Sequence, residues 1–105
     1  MKIYLAAPFS MARQVEAQYA RDLAQRGLPV VSQWHRLPHP ADLSRAAKRD
    51  LEDILEADTL ILLANLRPRA NRGGRHVEFG FALARDKRIM VVGARQNLFH
   101  YLPNV

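Results

Sequence analysis

Four short apolar runs recur along this 105-residue chain, and each interval between them is long enough to hold a helix. KIYLAA occupies 2–7, LPVVS 28–32, TLILLA 59–64 and RIMVV 88–92. Runs of this length and composition predict buried strands, and the proline of the second run sits near its start, where a strand tolerates it. Between the first two runs a helix is predicted over 11–26. Val15, Tyr19, Leu23 and several alanines form its apolar side, Ser10 stands at its N-cap position and Gly27 at its C-cap. Further helices are predicted over 44–57 and 74–86. Residues 33–42, interrupted by Pro38 and Pro40, and 65–73 read as loops, and 93–105 as a tail. The order β-α-β-α-β-α-β predicts an α/β domain with a parallel sheet and right-handed crossovers. With no repeat or linker in sight, 1–105 is expected to form a single domain. In such sheets ligands bind outside the C-terminal strand ends, at a switch in strand order. That edge would gather 6–13, 32–39, 65–78 and 93–99.

One stretch on that edge stands out. Gly73 and Gly74 close a loop, and the helix that follows carries one carboxylate, Glu78, among Val77, Phe79, Phe81, Ala82, Leu83 and Ala84. So apolar a helix should be largely buried, and burying an unpaired charge is expensive. Glu78 is therefore either a first-turn acid favoured by the helix dipole or a catalytic carboxylate at the mouth of a cleft.

The composition is that of a globular protein: 49% hydrophobic, 25% charged and free of cysteine. Disulfides and thiolate metal sites are thereby excluded. The apolar start is too short for a signal peptide and lacks a cleavage site, and no apolar run is long enough to span a bilayer. A cytoplasmic protein with no membrane partner is expected. The formal net charge of +6 suggests an anionic partner. The basic residues are scattered, however, apart from Arg67, Arg69, Arg72 and Arg75, and no stacking aromatics accompany that cluster. A generally basic solvated surface accounts for this pattern better than a nucleic-acid footprint, so nucleic acid is not an expected partner, and room is left for a small phosphorylated ligand.

Other candidates surround Glu78. Asp50, Asp53 and Asp58 lie on or just after the second helix, and Asp50 and Asp53 share a face. A second carboxylate beside Glu78 would suit glycosidic bond cleavage, where one group attacks or stabilises the sugar cation and the other handles the leaving group's proton. Asp53, close to Arg49, reads as a solvated helix acid. Among the four histidines, His35 and His39 are four apart but in a proline-broken loop, so neither a metal site nor a cofactor is expected. Gly73-Gly74 before a helix could cradle phosphate, although it lacks the dinucleotide and Walker fingerprints. Ser10 and Arg13 make a second possible phosphate site.

Together these stretches resemble the nucleoside 2-deoxyribosyltransferase family, including its nucleoside monophosphate N-glycosidases. The matching pieces are Ile3-Tyr4-Leu5-Ala6-Ala7-Pro8-Phe9; Asp50-Leu51 with Ile54 and Ala57-Asp58; and Gly74 with Glu78-Phe79-Gly80, Ala82 and Ala84, followed by Lys87. The resemblance implies a flavodoxin-like three-layer sandwich with a four- or five-stranded parallel sheet. It implies a homodimer or higher homo-oligomer with shared active sites. It makes Glu78 the nucleophile that forms a covalent glycosyl-enzyme. Asp50 becomes the acid that contacts the sugar or assists the leaving base, and Tyr4 the tyrosine that orients Glu78. Ala7, Phe9, Ser10, Arg13 and Gly74 would contact substrate, and Trp34 with its loop would line the base pocket. Asn97-Leu98-Phe99 resembles a segment that relatives insert into a neighbour's site, and Asp58 takes a structural role.

The chain departs from the transferases in two ways. It is shorter, and Arg72 stands where they often carry an acidic base-recognising residue. Arg72, Arg75 and the basic balance suit a nucleoside 5′-monophosphate and hydrolysis rather than transfer to a second base. A non-catalytic nucleotide-binding module of the same fold is the alternative.

Overall fold

The computed structural model describes residues 1–66 and 73–105. Three parallel strands, β1 (Ile3–Ala6), β2 (Thr59–Leu63) and β3 (Arg88–Val92), lie side by side in that order. Ile3 pairs with Thr59, and Leu60 with Ile89. Every residue of β1 and β2 is buried, as a parallel sheet covered by helices on both faces requires. β3 alternates, with Ile89 buried and Met90 46% exposed, because it is an edge strand.

The expected strand over 28–32 is reduced to a single bridge, Ile3 to Val30, on the outer side of β1. The sheet therefore has three strands among the described residues, not the four or five implied. The reason lies in how the edge of β1 is satisfied. Ile3 N–H donates to Pro29 O at 2.9 Å, and Val31 N–H donates to Ile3 O at 2.8 Å. At Leu5 side chains take over from the ladder. Leu5 N–H donates to Ser32 Oγ at 3.1 Å, and Trp34 Nε1 donates to Leu5 O at 2.7 Å. The edge strand thus ends after one bridge without orphaning a buried backbone group.

The first helical region is also not a single helix. It enters through a 3-10 turn (Phe9–Met11), continues as α1 (Ala12–Gln14), widens into a π-helical stretch (Val15–Ala20) and ends as α2 (Arg21–Gln25). Ser10 lies inside the entry turn and no side chain caps it, so the N-cap expectation fails. Val15 and Ala20, both buried, are five apart, which matches the i→i+5 repeat of a π turn. Gly27 follows the helix with φ +77°, a left-handed conformation suited to glycine.

Helix α3 (Leu43–Glu56) is capped by Asp42, whose Oδ1 accepts from Arg45 N–H at 3.1 Å. Helix α4 (Gly74–Ala84) follows Gly73, which adopts φ +79°. Only one stripe of α4 is buried (Arg75, Phe79 and Ala82), and Val77 is 68% exposed. The helix is thus less buried than its composition suggests, since none of the described residues covers Val77 on its outer side. Gly93 closes β3 at φ +104°, and a Cβ there would lie 2.7 Å from Asn65 N. Asp58, at the opposite end of the sheet, accepts from Lys2 N–H at 2.9 Å and from Thr59 Oγ1 at 2.8 Å, tying the starts of β1 and β2 together. No helix among the described residues is long and apolar enough to cross a membrane.

Candidate active site

The site is built on Tyr4. It lies on β1, beside the central strand β2, where it is wholly buried. Its hydroxyl donates to Glu78 Oε2, on the second turn of α4. Burial pushes the phenol's pKa up strongly, and the neighbouring Glu78 adds to the effect, so Tyr4 remains a donor. Glu78 is pushed up to about 8, chiefly by burial; the Tyr4 hydrogen bond opposes the rise and the charge of Asp50 adds to it. Below that pH Glu78 holds a proton.

Asp50 comes from α3. Burial raises its pKa, and Arg49, whose Nη2 donates to Asp50 Oδ1 at 3.3 Å, opposes the rise. Asp53 is not the solvated acid expected. It is buried, accepting from Gln33 N–H at 3.1 Å and from Gln33 Nε2 at 2.9 Å, and so pins the second loop to α3.

Asp50 and Glu78 open into a cleft of about 650 Å³ at the C-terminal ends of the strands. The loop after β1 lines it with Ala7, Phe9 and Ser10, and the second loop with Trp34 and His39. On α3, Leu43, Ala46, Ala47 and Asp50 face it at helical spacing. Gly74, Val77 and Glu78 of α4 complete the wall. The Phe9 ring lies 6.2 Å from Trp34 and 5.4 Å from His39, edge-on to the latter, so one wall is aromatic. A planar base fits against such a wall. A second hollow of about 670 Å³, at the opposite end of the strands, is lined by Asp58, Thr59, Lys87 and Arg88 and contains none of this constellation.

The fold therefore brings Tyr4, Ala7, Phe9, Ser10, Trp34, Asp50, Gly74 and Glu78 to one place. Arg13 is exposed on α1 and does not line the cleft. Asn97 and Phe99 lie past β3, where Asn97 Oδ1 accepts from Phe99 N–H at 3.0 Å, and they too are absent from this chain's own cleft. Arg72 falls outside the described residues. His39 lines the cleft together with Trp34, as expected of that loop, whereas Arg49 and Val77 line it without having been singled out. The pair of small residues Ala46-Ala47, four and three positions before Asp50, was the available signal, because small residues on one helix face leave room for a ligand.

Loop 33–39 is fastened from behind. His35 is buried, with Nδ1 2.8 Å from Glu16 Oε1 and Nε2 2.8 Å from Ser32 Oγ. Burial lowers its pKa. A neutral ring then donates to Glu16 and accepts from Ser32, whose oxygen accepts from Leu5 N–H. Among the described residues, no group of three His, Asp or Glu side chains could hold a metal ion.

The fold and cleft define an α/β protein with a tyrosine-braced carboxyl group and a second carboxyl group in one aromatic-walled pocket. A solved structure of Clostridium botulinum CMP N-glycosidase, BcmB, shares this fold with a TM-score of 0.57. The two sequences are 24% identical, and the match covers 87% of this chain and 70% of that one. No family model matches the chain, and no curated protein matches it.

Proposed function

We propose that this protein hydrolyses the N-glycosidic bond of a nucleoside 5′-monophosphate, with Glu78 as nucleophile. The observation that carries this reading is the Tyr4–Glu78 hydrogen bond facing Asp50 in the cleft. The shared fold with a CMP N-glycosidase supports it. The sheet order, with the 28–32 segment outside β1 followed by β2 and β3, suits a flavodoxin-like arrangement.

In the first step a lone pair of the ionised Glu78 bonds to C1′. The C1′–N bond breaks, and its electron pair leaves with the base, which takes a proton from Asp50. Burial raises the proton affinity of Asp50, which suits it to hold that proton. In the second step water bonds to C1′, the C1′–Oε bond breaks with its pair returning to Glu78, and the water proton passes to Asp50. A second base in place of water would make the same site a transferase. Tyr4 aims the Glu78 carboxylate and stabilises its charge. Phe9, Trp34 and His39 hold the base. Ser10 and Gly74, at the loop after β1 and the start of α4, supply polar groups for the phosphate. The protein acts as a homo-oligomer in which Asn97 and Phe99 enter a neighbour's cleft; the exposure of Leu98 (74%) and Phe99 (54%) accords with this.

The test is base release from a panel of nucleosides and their 5′-monophosphates, with and without a second free base, beside Glu78→Ala. Loss of base from monophosphates with wild type alone is expected. No release from any substrate would sink the reading and leave a nucleotide-binding module, which calorimetry would reveal.

A further inference from the structure

His100, in a 3-10 turn (Leu98–Tyr101) past β3, is wholly buried and takes no part in the chemistry above. It closes its own segment into a loop. Gln96 N–H donates to its Nδ1 at 3.0 Å, and its backbone oxygen accepts from Arg95 Nε at 3.0 Å. Gln96 Nε2 donates in turn to Ala64 O at 3.3 Å, which fastens the segment to the end of β2. The His100 ring packs on α4, 4.9 Å from the Phe79 ring and 6.0 Å from that of His76.

These bonds fix the protonation of the ring. A nitrogen that accepts from a backbone N–H carries no hydrogen, so His100 is neutral with its proton on Nε2. Nε2 is buried and has no hydrogen-bond partner among the described residues. A metal ion bound there would require the ring to lose its last proton. Gaining a proton is opposed from the other side, because a hydrogen on Nδ1 would face that of Gln96 N–H. The surrounding charges oppose it too. Arg75 and His76 face the ring from α4 and Arg95 from its own segment, and no carboxylate among the described residues pairs with it. Burial first, then Arg95 and Arg75, lower its pKa.

We propose that His100 is a proton-operated latch: neutral, it holds residues 95–101 against α4, and protonation releases them. Asn97 and Phe99 lie in the released segment, so the part given to them above is withdrawn as the pH falls. The latch itself does not depend on the glycosidase reading. Its sign follows from linkage. A released ring titrates near 6.5 and the docked ring lower, so opening takes up a proton. Opening is independent of pH well above 6.5 and becomes about tenfold more favourable for each unit below it, until the docked ring titrates as well.

The test is amide exchange of Gln96 in the intact protein, followed by NMR and corrected for the intrinsic pH dependence of exchange. Its protection should be level from pH 8 to 7 and about tenfold or more lower at pH 5, while the β2 amides keep theirs. His100→Asn leaves an oxygen to accept from Gln96 N–H and has no proton to gain, so its profile should be flat. A level wild-type profile, an equal fall in the β2 amides, or an equal fall in His100→Asn would overturn the assignment. If His100→Asn leaves Gln96 unprotected at every pH, His76→Asn decides. A fall like that of wild type keeps His100 as the titrating group, and a level profile removes it.

Discussion

Glu78→Gln should make the protein more stable, and increasingly so as the pH rises. Glutamine keeps the shape of the side chain and still accepts from the Tyr4 hydroxyl, but it carries no proton to lose. In the folded chain Glu78 ionises at about 8, against 4.5 for an unperturbed glutamate. The unfolded chain releases this proton first, so the folded state forfeits stability as pH climbs from 4.5 through 8. Below 4.5 both states are protonated and wild type and variant should match closely. Above 8 the whole difference is present, on the order of 3–5 kcal/mol. For a domain whose total stability is about 5–15 kcal/mol, that is a large share. Urea titrations at pH 5, 7 and 9, followed by fluorescence of the buried Trp34, would read it directly. With a denaturant slope of about 1–2 kcal/mol/M, the two midpoints should separate by about 2 M or more at pH 9 and by only about 0.5 M at pH 5, where the unfolded glutamate has begun to ionise. Subtracting the variant's curve from the wild type's removes the contribution of Asp53, which burial shifts in the same direction. A gap between the curves that does not change with pH would refute the claim that Glu78 is held protonated by burial.

Other outcomes follow from the same contacts. Tyr4→Phe removes the hydrogen bond that opposes the rise at Glu78, so its ionisation should move upward from 8 by about one unit or more; a carbon-13 titration of the Glu78 carboxyl checks this, and no movement would contradict it. Gly93→Ala drives a methyl into the Asn65 backbone at a positive φ and should destabilise by about 2 kcal/mol or more, seen as a lowered melting temperature. Ser32→Ala leaves Leu5 N–H and His35 Nε2 without their partner inside the protein and should cost about 1–3 kcal/mol, measured by chemical denaturation.

Three of the four strand runs were legible almost to the residue, because a strand buried on both faces is simply an apolar run bounded by turns. The fourth was not, because side chains end its pairing. Ser32 and Trp34 bond to Leu5 from more than 25 positions away in sequence, and no periodicity encodes such a contact. The π stretch over Val15–Ala20 was hidden for a similar reason, since it is visible only once both residues are known to be buried. Glu78 drew attention as a carboxylate at the expected ligand edge of the sheet, and Asp50 as an acid of the second helix that the family resemblance singled out. Asp53 was misjudged because its partner, Gln33, lies on a loop whose path depends on the tertiary fold. Arg49 was overlooked as a cleft residue because, four positions before Asp53, it read as a surface partner for that acid.

The side-chain bonds that complete the edge of β1 have a consequence for how this scaffold can change its substrates. Trp34 is at once a wall of the pocket and the hydrogen-bond partner of Leu5 O. Ser32 and His35, two positions before it and one after, are engaged in the same network. A mutation that reshaped the pocket through Trp34 would therefore weaken the sheet at the same moment. Phe9, 46% exposed, and His39 carry no comparable burden. Drift toward a different base is thus steered to these two rings, with Trp34 retained as the fixed wall against which they are exchanged.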